Sequence, residues 1–148
     1  MKTRLAFALL VFGFLSGCGH LSEKDFPPPA DRGARYECLQ ELEVYGVKRK
    51  LPSPRHDYVI LIPPPGMRGP EVVNLGKIPA GTVIEIDGLL QQGPDWLSRF
   101  FHRVRILGPA ADRWAKEDVR LNNSDKLYAP PDEAKQLVLS ANYFRRLP

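Results

Sequence analysis

The chain has 148 residues, 43% of them hydrophobic, and a formal net charge of +4. That length is enough for one domain with a real core, which needs no metal or disulfide staple. Two cysteines, three histidines and no Cys cluster exclude a disulfide framework and a Cys-rich zinc site.

Lys2 and Arg4 precede an uncharged apolar run from Leu5 to Phe14. A basic start and a short apolar core describe an export signal. The run is about half the ~20 residues that a membrane-crossing helix needs. Leu15-Ser16-Gly17-Cys18 follows: a Leu, two small residues and a Cys. This segment resembles the lipobox of bacterial lipoprotein precursors. The resemblance implies that residues 1–17 are a signal peptide cut before Cys18. It also implies that Cys18 is the lipidation site, carrying a thioether lipid and an acylated amino group. At ~0.8 kcal/mol per buried CH₂, two or three acyl chains hold a protein on a membrane almost permanently. Gly19 stands where lipoproteins retained at the inner membrane typically carry Asp, which implies the outer membrane, facing the periplasm. Lys2 and Arg4 leave with the signal and the mature side chains keep +2. The basic balance of the whole chain therefore points to no nucleic-acid partner.

Residues 18–35 are polar and rich in punctuation. Phe26-Pro27-Pro28-Pro29 favours extended polyproline II. The segment is expected to be a tether, which at ~3.1 Å per residue spans several tens of ångströms. Residues 36–148 are expected to be one small β-rich domain. Tyr36 to Val47 alternates in its second half, with Leu42 and Val44 on one face. Tyr58 to Ile62 is an apolar β-branched run closed by Pro63-Pro64-Pro65-Gly66. Pro79-Ala80-Gly81 is a turn, Thr82 to Ile86 a strand, and Asp87-Gly88 a second turn signal. Asp95 to Phe101 fits a short helix or a loop equally well. His102 to Leu107 alternates cleanly, with His102, Val104 and Ile106 on one face and Arg103 and Arg105 on the other. From Pro130 onward the chain reads as a short helix or as a strand over Gln136 to Leu139.

About five short strands with Gly/Pro turns predict a mainly β fold, a small barrel or sandwich, with room for a short C-terminal helix. Leu75-Gly76-Lys77-Ile78-Pro79-Ala80-Gly81-Thr82 and the strand after it resemble a segment of bacterial SH3-like barrels. Ser140-Ala141-Asn142-Tyr143-Phe144 is faintly similar to the closing turn and strand of SH3 domains.

For chemistry, His20, His56 and His102 lack metal-motif spacing. No metal or cofactor is expected. Cys38 has no peptidase signature around it and reads as a buried small hydrophobe. Ser53, Ser98, Ser124 and Ser140 lack a nucleophile elbow. Glu41 and Glu43 read as solvated on one strand face. No catalytic residue is expected. The suggestive segment is Trp96 to Arg105, which combines three aromatics with Arg99, Arg103 and Arg105. Guanidinium forks bind carboxylates and phosphates and stack on rings. Trp96, Arg99, Arg103 and Arg105 are therefore the candidate binding residues. The competing reading makes the aromatics core and the arginines a solvated face. The expected function is a lipid-anchored, non-catalytic envelope protein that binds another envelope protein or cell-wall glycan. The alternative is an inhibitor of a wall-degrading enzyme such as lysozyme. Tyr36-x-Cys38 followed by Leu42-x-Val44 is similar to the opening strand of lipoprotein lysozyme inhibitors. Those inhibitors close a disulfide, for which this mature chain has no second free cysteine.

Overall fold

The structure is a computed structural model that describes residues 23–25, 29–93, 99–129 and 137–148. The lipobox with Cys18, the Phe26–Pro28 run, Trp96 and residues 130–136 lie outside the described residues.

Nine strands and one short helix follow in chain order: β1 (Glu23–Asp25), β2 (Arg35–Cys38), β3 (Leu42–Val47), β4 (Tyr58–Ile62), β5 (Val72–Ile78), β6 (Val83–Gln92), β7 (Arg99–Leu107), α1 (Ala111–Trp114), β8 (Val119–Leu121) and β9 (Phe144–Arg146). The fold is mainly β, as the alternation and turn chemistry predict. Among the described residues the strand count is nine rather than about five. All strands join one sheet in the order β5-β3-β4-β8-β7-β6-β2-β9, with β1 pairing along the far half of β6. The β4–β8 pair is parallel, while the other described ladders are antiparallel.

Chain connectivity forces this sheet to curl. β5 and β6 are five places apart in the strand order, about 24 Å if the sheet were flat. Yet Ile78 and Val83 are five Cα steps apart, a reach of at most about 18 Å. β2 and β3 are also five places apart and are joined by the even shorter link from Cys38 to Leu42. The turn at Pro79-Ala80-Gly81 falls where the sequence places it, and Gly81 adopts φ +87° there. Curling gathers the inner faces into one core, which includes Leu42, Val44, Val59, Leu61, Ile84, Ile86, Val104, Ile106, Leu121 and Phe144. Each such side chain contributes roughly 1.5–3 kcal/mol when fully buried. Trp114 of α1 packs into the same core, and Arg113 stacks over its ring at 4.5 Å.

The long β6–β7 hairpin changes faces partway along. The register shifts between Ile86 and Gly88, so Asp87 is an extra residue. One extra residue inverts the side-chain alternation. Ile84 and Ile86 therefore enter the main core, whereas Leu90, paired with Phe101, joins a second cluster with Tyr45, Val47 and Ile60 on the other face.

Several sequence expectations are corrected here. The segment read as a tether contributes β1, and β2 begins at Arg35. The Gly33 amide donates to the Ile86 carbonyl and the Ile86 amide to Ala34, which ties this stretch to β6. Arg99 to Phe101 open β7 rather than forming a helix, because they pair with Leu90–Gln92. Tyr36 to Val47 splits at Leu39–Glu41 into two strands at distant places in the sheet. At the C-terminus, Phe144–Arg146 form a strand, and Leu139 makes an isolated bridge to Tyr128.

Candidate functional site

β8 places a charge inside apolar sequence. Val119 and Leu121 point into the main core, so alternation sends Arg120 to the opposite face, beside the second cluster. Its side chain is 2% exposed. Two carboxylates and a ring enclose it. Arg120 Nη1 and Nη2 donate to the two oxygens of Glu23 at 2.9 and 3.2 Å. Nε and Nη2 donate to Asp118 Oδ2 at 3.1 and 2.5 Å. The guanidinium carbon lies 3.9 Å from the centre of the Tyr58 ring. Burial opposes the charge, but the hydrogen bonds and fields of Glu23 and Asp118 outweigh it, and the Arg120 pKa is raised. Burial likewise pulls the Asp118 carboxyl upward, but Arg120 and Arg103 outweigh it and hold Asp118 below the usual carboxylate range.

Arg103 belongs to this cluster. It pairs in register with Arg120, and its Nε donates to Asp118 Oδ1 at 3.1 Å. Its Nη1 lies 3.4 Å from Asp25. Arg49 donates to Glu23 and lies over the Tyr58 ring at 5.5 Å. Three arginines thus face three carboxylates, and the group is neutral. Two of those carboxylates, Glu23 and Asp25, come from β1. The cluster latches the N-terminal strand onto the domain.

Arg105 faces the same way as Arg103 but engages a separate pair of acids. It donates to Glu85, which also accepts from Arg35 Nε at 3.1 Å, and it approaches Asp87 at 3.8 Å. The Arg35 hydrogen bond, against the pull of burial, holds Glu85 below its ordinary pKa, with Arg105 adding to the effect. Arg105 remains 63% exposed and Arg103 35%. Arg99 is exposed at the start of β7, opposite Gln92. Of the candidate binding residues, Arg99, Arg103 and Arg105 are thus placed on β7, and Trp96 lies outside the described residues. Strand alternation does put Arg99, Arg103 and Arg105 on one face, but Phe101 between them is core, and Arg103 and Arg105 are neutralised by four acids from β1, β6 and the residue before β8.

The nucleophile and base candidates are built into the core. Cys38 is fully buried, and burial, with Glu37 nearby, pushes its thiol up to about 12. Burial thus disfavours the nucleophilic thiolate. His102 stacks on Tyr128 with ring centres 5.5 Å apart, and its Nδ1 is 3.0 Å from the Tyr128 hydroxyl. Burial lowers the His102 pKa and raises that of Tyr128, so the pair stays neutral. His56 pairs with Glu117 at the surface. Among the described residues, no group of His, Cys, Asp and Glu is placed to hold a metal.

Sequence reasoning missed Arg120, Glu23, Asp118 and Tyr58. A signal was present: Val119-Arg120-Leu121 is a charge between two β-formers, and Asp118 two residues earlier supplies a neutralising partner on the same face. Comparison with protein families, with curated proteins and with solved structures finds no match.

Proposed function

We propose that this chain is an envelope lipoprotein, anchored through a lipid on Cys18, whose β domain is a non-catalytic binding module. The observation that carries the proposal is Leu15-Ser16-Gly17-Cys18 directly behind a basic start and a short apolar run. The binding-module reading is supported by what the chain does with its reactive groups. The Cys38 thiol and the His102 imidazole are both spent on core packing. The partner is another envelope protein or cell-wall glycan. It would meet the outer face of β7 at the exposed Arg99 and at Arg105, 63% exposed beside its acid partners, rather than at Arg103, which the N-terminal strand already occupies.

Metabolic labelling with a fatty acid tests the anchor. Wild type should take up label and Cys18→Ala should not; equal label in both would overturn the proposal. Gly19 leads to outer-membrane residence in a two-membrane bacterium, and fractionation with inner-membrane markers would count against that. The binding module is tested by affinity capture from solubilised envelopes with Arg99→Glu/Arg105→Glu as the control bait. A partner held equally by both baits would remove this surface from the reading.

A further inference from the structure

The β3–β4 loop, residues 48–57, carries Lys48, Arg49, Lys50 and Arg55 against a single acid, Asp57. Leu51 within it is 51% exposed, the highest value among the exposed large hydrophobic side chains of the described residues. Among the described residues Lys48, Lys50 and Arg55 make no ion pair, in contrast to Arg103, Arg105 and Arg120. The Arg49 backbone amide donates to Asp57 Oδ2 at 2.7 Å, which fixes the base of the loop. The Arg49 side chain is joined to Glu23. That contact puts the loop beside the first residue of β1. Glu23 is five Cα steps from Cys18, a reach of at most about 18 Å.

We propose that this loop docks on an anionic phospholipid surface beside the Cys18 anchor, with Lys48, Lys50 and Arg55 on the headgroups and Leu51 in the interface. The proposal rests on the lipoprotein reading for the position of the membrane. Charge complementarity selects the occupant. A cation near an anionic leaflet gains about fivefold in binding, so three gain about a hundredfold over a neutral leaflet. The short link to the anchor turns a weak contact into a nearly intramolecular one. An exposed aliphatic side chain among cations is the composition of a segment that lies in the headgroup layer.

The test uses the purified lipidated chain with Pro54→Cys, an exposed loop position, carrying an environment-sensitive fluorophore. The native Cys38 is buried and does not compete. Vesicles of phosphatidylcholine alone or mixed with phosphatidylglycerol carry spin-labelled lipid as a quencher. Quenching is expected with the anionic vesicles only. It should vanish in about 1 M salt, where the Debye length falls to ~3 Å. It should also vanish on Lys48→Glu/Lys50→Glu/Arg55→Glu. Equal quenching in both vesicle types would overturn the proposal, as would quenching that survives the triple substitution. The wild-type loop comparison needs no charge variant, so misfolding of the triple variant does not remove the test. Co-flotation with phosphatidylcholine vesicles reports the anchor separately. Its loss counts against lipidation, and binding to anionic vesicles alone then still reads the loop.

Discussion

Glu23→Ala should destabilise the domain although Glu23 sits in a three-residue strand at the rim of the sheet. Glu23 supplies both oxygens to Arg120, whose side chain is 2% exposed. Removing one partner of a buried pair costs ~3–5 kcal/mol, because the remaining charge stays buried. Asp118 keeps its two contacts to Arg120 in the variant, and Glu23 itself is 17% exposed. About half of the full penalty, ~2 kcal/mol, is therefore expected. For a domain of this size that lowers the midpoint by about 6–10 °C. Urea titration and thermal melting of the purified chain measure it. Glu23→Gln keeps the shape and one acceptor and should lose less. Arg120→Met added to Glu23→Ala should restore much of the loss, since an apolar side chain there needs no counter-charge. A Glu23→Ala midpoint equal to wild type would refute the latch, and so would a double variant that falls by the sum of both singles.

Other outcomes follow from the same geometry. Arg103→Glu with Arg105→Glu should cost about 1–2 kcal/mol in urea, more than two solvated surface changes, because it faces new carboxylates with Asp118, Asp25, Glu85 and Asp87. Val104→Asp puts an unpaired carboxylate on the inner face and should leave no cooperative melt. Tyr128→Phe strands the buried Nδ1 of His102 and should cost ~1–3 kcal/mol, read from the urea midpoint. In acid, Asp118 sets a direction. Its folded pKa lies below its unfolded one, so its contribution is complete above the ordinary carboxylate range and is lost as pH falls below that range. Urea midpoints of wild type should therefore drop on acidification more steeply than those of Asp118→Asn.

How much was legible in the sequence depends on whether an element stands on local pattern or on distant partners. β4 and the second half of β7 were readable because Tyr58–Ile62 is continuously apolar and His102–Leu107 alternates, both of them local signals. β1 and β8 are three residues each, too short for any period, and are strands only because β6 and β4 offer them an edge. The same distinction separates the site residues. That Arg103 and Arg105 share a face follows from alternation. That both are already neutralised depends on Asp118, Asp25 and Glu85, which alternation within one strand does not reveal. The polar composition of residues 19–35 suggested a tether because they bring little apolar surface. Their contribution is instead a carboxylate for a buried guanidinium, which hydropathy scores as solvent-loving.

The latch has a consequence for the order of events during synthesis. Glu23 and Arg120 are 97 residues apart. A chain that emerges N-terminus first presents Glu23 long before Arg120. Through that interval β1 has no counter-charge, and its sheet partner β6 is also still to come. Under the proposed lipoprotein reading, lipid transfer to Cys18 and cleavage before it fall within that interval. Only when β8 slots between β4 and β7 does the guanidinium arrive to hold β1. Pairings of such long separation form slowly. The latch is thus set to close late by the order of its strands in the sequence.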